Sequence, residues 1–189
     1  MQASGIVLAG GASRRMGRDK ALIRLRGERL VDRAVSRLQQ VCDDVIVASG
    51  HRTIPGLEVN QVRDAVGVGP LAGLTAGLTR VNHELAFVIA VDLPEASPSL
   101  LQQLALLWTG EAAVIPSACG RAQPLHAVWS ASAAIGLDAL LAEGHHSVIA
   151  AAQSLGATFL TQEQTRELTR DDRWAVNVNE PADLHRYFG

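Results

Sequence analysis

The sequence predicts an α/β fold, a mainly parallel twisted sheet with helices on both faces. Short apolar, β-branched runs alternate along the chain with stretches whose apolar residues recur at helical spacing, the pattern of a parallel sheet covered by helices. The first run feeds directly into paired glycines, Gly10-Gly11, as a strand does where an open α/β sheet turns toward a ligand. Composition sets the scale. With 189 residues, 48% hydrophobic and 19% charged, the chain can bury a sizeable core, and a single domain over residues 1–189 is expected.

Each element follows from a local pattern. Ser4-Gly5-Ile6-Val7-Leu8-Ala9 reads as a buried strand ending at Gly10. Beyond the loop, Leu30, Val31, Ala34, Val35, Leu38 and Val41 fall on one helix face. Arg29, Arg33 and Arg37, at i, i+4 and i+8, read as its solvated side. Asp44 to Ala48 is a second core strand, and Leu57 to Val62 a third that ends at Asp64. Gly67-Val68-Gly69-Pro70 breaks the chain before a helix running from Pro70 to about Val81, proline being at home in a first helical turn. Leu85 to Val91 is the most apolar strand and runs into Asp92-Leu93-Pro94. Ser97 opens a helix with Leu100, Leu101, Leu104, Leu107 and Trp108 on its inner face. Ala112 to Pro116 and Pro124 to Trp129 read as partner strands, and Ala131 to Ala142 and Val148 to Leu155 as helices. Ala157 to Thr161 and Trp174 to Val178 are late strands, and Ala182 to Phe188 closes as a short helix.

Charge and cysteine usage exclude whole classes. A formal charge of −2 argues against a general nucleic-acid binder. Cys42 and Cys119 make neither a disulfide framework nor a zinc site. The start of the chain has no basic segment ahead of its short apolar run, and no run reaches the roughly 18 apolar residues of a membrane span. A soluble, cytoplasmic protein with neither nucleic acid nor membrane as partner is expected. Charge is unevenly spread: residues 14 to 37 hold nine bases and three acids, a net +6 that leaves −8 on the rest. Such an island suits a small polyanion. Sixteen of the seventeen bases are arginine and the one lysine is Lys20, a compact point charge that arginine does not replace.

Lys20 ends the richest stretch of the chain, Leu8-Ala9-Gly10-Gly11-Ala12-Ser13-Arg14-Arg15-Met16-Gly17-Arg18-Asp19-Lys20. Glycines let backbone N–H groups approach phosphate oxygens, and the bases neutralise them. Neither of two better-known phosphate loops is present. Lys20 precedes Ala21 where a P-loop needs Ser or Thr, and the G-x-G-x-x-G fingerprint is missing from this turn. Asp92, at the carboxyl end of the most apolar strand, is placed for Mg²⁺ beside phosphates, or for an Asx-turn before Pro94. Asp64 ends another strand and faces the same crevice or solvent. Asn177 and Asn179 share one face of an extended segment, there to read a polar ligand or to cap a helix beginning at Pro181. The histidines show no metal-ligand spacing and read as surface residues. Ser13 sits in no nucleophile elbow and Cys119 in no catalytic-cysteine motif.

These residues resemble the molybdenum cofactor guanylyltransferases, the MobA family. The resemblance runs through Leu8-Ala9-Gly10-Gly11-x-Ser13-x-Arg15-Met16-Gly17-x-Asp19-Lys20, Gly69-Pro70-Leu71-Ala72-Gly73, Asp92-x-Pro94, Gln123-Pro124-Leu125 and Asn177-Val178-Asn179-x-Pro181-x-Asp183-Leu184, in order and over essentially the whole chain. It implies a Rossmann-like, GT-A-like nucleotidyltransferase fold. It implies Mg²⁺-dependent transfer of GMP from GTP to the terminal phosphate of molybdenum-molybdopterin, with release of pyrophosphate and delivery to molybdoenzymes or their chaperones. By the same resemblance, Leu8, Ala9 and Gly10 contact the nucleotide through backbone with Gly11 beside them, Lys20 binds its phosphates, and Asp64 binds GTP. Asp92 binds GTP and Mg²⁺, Arg15 joins Lys20 and Asp92 as catalytic residues, and Gly73, Asn177 and Asn179 line the pterin side. Related cytidylyltransferases read Leu-Ala-Ala-Gly where this chain reads Leu-Ala-Gly-Gly, which favours guanine. Ala48-Ser49 departs from members with Asn near the end of the second strand. A sister enzyme using CTP or another phosphorylated acceptor, and a GTP-binding regulatory protein without catalysis, remain as alternatives.

Overall fold

The computed structural model describes residues 2–10, 19–63, 69–179 and 183. The chain forms β1 (Ser4–Leu8), a 3₁₀ turn (Lys20–Leu22), a hairpin of β2 (Arg24–Leu25) and β3 (Glu28–Arg29), then α1 (Leu30–Gln39) and β4 (Asp44–Gly50). There follow β5 (Asn60–Arg63), α2 (Pro70–Leu78), β6 (Leu85–Ala90), α3 (Pro98–Leu107) and β7 (Ala113–Ile115). A second hairpin, β8 (Ser117–Ala118) and β9 (Arg121–Ala122), precedes β10 (His126–Ser130), α4 (Ala133–Ala142), α5 (Val148–Ser154), β11 (Thr158–Phe159), α6 (Gln162–Leu168) and a 3₁₀ turn at Arg173–Ala175.

β1 is apolar on both faces because both are covered. Val7 and Ala9 pack with α1 and α3, against Leu30, Leu38, Leu100 and Leu104. Ile6 and Leu8 pack on the other face with Leu71 and Leu74 of α2 and Leu137 of α4. The main sheet has the order β11-β7-β10-β6-β1-β4-β5. β1 runs parallel to β4 and β6, as do β4 with β5 and β7 with β11, while β10 lies antiparallel between β6 and β7. The mainly parallel sheet with helices on both faces is therefore as expected. Phe87 and Ile89 of β6 are at most 2% exposed, and burying a side chain of that size contributes roughly 1.5–3 kcal/mol.

The connections decide where a ligand can enter. From β1 the chain crosses through α1 to β4, then β5. It next crosses back through α2 to β6, on the other side of β1. The order reverses at the carboxyl end of β1, between β4 and β6, the place where open α/β sheets bind ligands.

Several boundaries move from their expected places, for physical reasons. β5 begins at Asn60 rather than Leu57 because the preceding loop folds back on Gln61, whose amide both accepts from Ile54 N and donates to Ile54 O at 2.8 Å. Trp174 to Val178 is not a strand. It is a 3₁₀ turn followed by extended chain, since β6 is flanked on both edges by β1 and β10. Leu107 is 44% exposed, and Ala105 takes its expected inner position on α3. The hairpins and α6 were not anticipated, although α6 carries a legible capping box of Thr161 and Gln164. The expected helix from Ala182 to Phe188 lies outside the described residues apart from Asp183.

Arg29, Arg33 and Arg37 do not form a solvated face. Arg33 pairs with Glu28 and Glu95 and donates to Pro94 O at 2.7 Å; Arg37 pairs with Glu95 and donates to Ala96 O at 2.7 Å. Arg29 pairs with Asp32 and donates to Pro55 O and Gly56 O. The +6 island is thus partly used to fasten α1 to the loop that follows β6.

His126, expected at the surface, is completely buried on β10. Its Nε2 accepts from Ser97 N at 2.9 Å, and its ring lies 4.7 Å from that of Trp174. Burial first, and the nearby Arg37 charge as well, lower its pKa to about 4 from 6.5. Protonating Nε2 would set an N–H against the Ser97 N–H, donor facing donor. Between about pH 6.5 and 4 the unfolded chain therefore binds a proton that the folded chain does not, so stability falls as pH falls. We expect a loss of about 3 kcal/mol across that window, measured by urea titration, and its disappearance in His126→Gln.

Candidate active site

The 3₁₀ turn after the Gly-rich loop aims Lys20. Asp19 caps it, its carboxylate accepting from Ala21 N at 3.0 Å, and Ala21 is fully buried. Burying Ala21 while Asp19 caps the turn leaves Lys20 to project along the sheet edge. Across the crevice, the strand pairing of β1 with β6 continues one residue beyond the ladder, where Val91 N donates to Leu8 O at 3.0 Å. Val91 and Leu93 are buried, and a turn closed by Leu93 N donating to Ala90 O at 3.1 Å leaves the half-buried Asp92 at the carboxyl edge. Its carboxylate engages Lys20 rather than the backbone of its own turn.

A third segment arrives from the end of the chain. Trp174, 2% exposed beneath His126, and Val178, fully buried, anchor residues 174–179 on the α1 face of the core. Val178 N donates to Asp92 O at 2.8 Å. Asn177 and Asn179 are exposed on either side of Val178, as the alternation implies. Asn179 N donates to Asp183 Oδ2 at 2.8 Å. The three segments meet at one atom. Lys20 Nζ donates to Asp92 Oδ2 and to Asn179 Oδ1, both at 3.0 Å, with the Lys20 and Asp92 side chains 22% and 21% exposed.

The remaining expected residues distribute as follows. Leu8 and Ala9 are buried, with Ala9 N committed to Ala48 O at 2.8 Å, Leu8 O to Val91 N and Ala9 O to Arg52 Nη2, so a ligand there first meets Gly10. Gly73 is a buried residue early in α2, whose N-terminus lies at the same sheet edge on the α2 face. Gly11, Arg15 and Asp64 lie outside the described residues. Among the described residues no cluster of three or more His, Cys, Asp or Glu could cage a metal. Mg²⁺ does not require such a cage, since it binds through one or two carboxylates, substrate phosphates and water. Asp92 has that donor chemistry, and its Oδ1 has no hydrogen-bond partner among the described residues.

The arrangement is a cation and a carboxylate at the switch point of a parallel sheet, fed by a Gly-rich loop. A family model described as the MobA-like NTP transferase domain matches residues 5–158. The chain belongs to the MobA-like NTP transferase family. It is accordingly a nucleotidyltransferase. Relatives in the family include a protein of Chloroflexus aggregans named "probable molybdenum cofactor guanylyltransferase", 37% identical over 97% of this chain and 92% of its own. One of the same name from Mycobacterium tuberculosis is 37% identical over 96% and 91%. The molybdopterin-guanine dinucleotide biosynthesis protein A of Archaeoglobus fulgidus superposes with a TM-score of 0.81 at 25% identity, covering 97% of this chain and 96% of that one. A 2-C-methyl-D-erythritol 4-phosphate cytidylyltransferase from Thermus thermophilus shares the fold alone, at 16% identity and a TM-score of 0.67, over 99% and 97% of the two chains. No helix among the described residues is long and apolar enough to cross a membrane.

Gly10 is fixed by a close approach. A Cβ there would stand 3.0 Å from both Cα and N of Gly50, and backbone cannot give way as a side chain does. Gly10→Ala should cost about 1–3 kcal/mol of stability, read as a shift in the urea midpoint; a wild-type midpoint would show that the contact relaxes freely.

Proposed function

We propose that this enzyme transfers GMP from GTP to the terminal phosphate of molybdenum-molybdopterin and releases pyrophosphate. The convergence of Lys20, Asp92 and Asn179 from segments far apart in the chain carries the proposal. The family and the names of relatives matching almost end to end supply the substrates. We read residues 1–189 as one nucleotidyltransferase domain, because residues 174–179, beyond the family match, pack into the same core and reach the same site. The product would pass to molybdoenzymes or their chaperones.

In this reading Lys20 and Asp92 hold each other in place and exchange partners when GTP enters. Lys20 then binds the nucleotide phosphates, where its charge offsets the charge gathering on the leaving pyrophosphate. Mg²⁺ would be held by Asp92, joined by GTP, and would supply further neutralisation of the phosphates. Asn179 keeps the lysine oriented during the exchange and, with Asn177 and Gly73, faces the pterin side. Backbone at Leu8, Ala9, Gly10 and Gly11, together with Asp64, holds the nucleotide, and Arg15 shares the phosphates with Lys20. The acceptor is a phosphate monoester, already anionic at neutral pH. No general base is needed, and positioning with charge neutralisation suffices.

Two variants test the reading. Lys20→Ala should lower GTP-dependent pyrophosphate release by at least about 10²-fold, with an unchanged far-UV spectrum and melting temperature; near-normal turnover would sink the assignment. Asp92→Asn should lose the Mg²⁺ dependence of turnover, and retention of the wild-type metal titration would place the metal elsewhere. Wild-type release with GTP set against CTP, on molybdenum-loaded molybdopterin, decides the base.

A further inference from the structure

Arg52 lies two residues past Gly50, outside every motif that marks the site. All three of its guanidinium nitrogens are engaged. Nε donates to Asp19 Oδ2 at 2.6 Å, Nη2 to Asp19 Oδ1 and to Ala9 O at 3.1 Å, and Nη1 to Ser49 O at 2.9 Å. Ser49 Oγ donates back to Arg52 O at 2.6 Å. The Arg52 and Asp19 side chains are 25% and 23% exposed.

We propose that Arg52 is a positioning residue for Lys20, a clasp that joins both ends of the Gly-rich loop and fixes the direction from which the lysine enters the site. Ala9 is the last residue before that loop's glycines and Asp19 the last before Lys20, so one planar group holds both ends. The same carboxylate that Arg52 grips also caps the turn carrying Lys20, so rotation of Asp19 is rotation of the lysine's base. A guanidinium is suited to this because its fork meets a carboxylate with two parallel bonds while its other edge reaches carbonyls. Lysine offers a point charge that cannot span Asp19, Ala9 and Ser49 together. The approach of Gly10 to Gly50 brings the ends of β1 and β4 close enough for one side chain to bind both. The clasp stands on geometry alone; its effect on turnover rests on reading Lys20 as the phosphate-binding cation.

Arg52→Ala and Arg52→Lys are compared with the wild-type protein by three measurements. The first is the initial rate of tryptic cleavage after Arg14, Arg15 or Arg18, without substrate; the second is kcat and KM for GTP; the third is the melting temperature. Both variants should be cleaved faster in the loop by about tenfold and turn over about 10- to 100-fold more slowly, with KM for GTP changed much less and little change in melting temperature. Should Arg52→Ala fail to fold, Asp19→Asn keeps an oxygen for the Ala21 amide, weakens the ion pair and should shift cleavage and kcat in the same directions. Wild-type cleavage or wild-type kcat in the folded variants overturns the proposal. So does a loss of kcat that tracks a collapse in melting temperature. If the wild-type protein releases no pyrophosphate from GTP, the substrate assignment fails, and the tryptic comparison alone still decides the clasp.

Discussion

Val91 N donates to Leu8 O one step beyond the ladder that pairs β1 with β6, and this sets the two strand ends level. Everything at the site depends on that alignment. Asp92 follows in the turn that Leu93 N closes on Ala90 O, so the level of the strand ends sets the level of its carboxylate. The register itself is enforced from both faces. Ile6 and Leu8 belong to one apolar layer and Val7 and Ala9 to the other, so β1 cannot slip without exposing one set and burying the wrong one. The core beneath thus holds the carboxyl ends of β1 and β6 in register.

On that edge, support comes from every side. The arginines of α1 grip Pro94, Glu95 and Ala96, immediately past Asp92. Val178 binds the Asp92 carbonyl, and His126 with Trp174 seats the segment that carries Asn179. Side chains in the crevice are short of freedom even where they are partly exposed. That suits a reaction in which placement of charged groups replaces proton transfer.

Sequence periodicity showed most of the fold, because the core strands β1, β6 and β10 are buried on both faces and α1 carries one apolar face. It failed where tertiary partners decide. Trp174 to Val178 has strand composition, yet both edges of β6 were already filled. His126 looked like any scattered histidine, since no local pattern announces that Ser97 and Trp174 will close over it. Arg29, Arg33 and Arg37 had solvent-face spacing, and their acids lay either nearby, as Asp32, or across the chain, as Glu95. Lys20 and Asp92 were legible because each ends a motif. Arg52 was not, since its meaning lies in atoms of Ala9, Asp19 and Ser49. Gly10 has two readings: the resemblance takes it as favouring guanine, and the structure places it where a Cβ would meet the backbone of Gly50.

The hydrogen bond from Lys20 to Asn179 joins residues 159 apart in the chain. Synthesis proceeds from the N-terminus, and domains acquire structure as they emerge. The strands that flank the crevice are complete by Val91, but the third arm of the site follows only when the last tenth of the chain is available. A nascent or truncated chain can thus own its lysine, its aspartate and its sheet without owning the constellation they form with Asn179. Competence at this edge arrives late and all at once, which separates the time at which the protein has a core from the time at which it has this site.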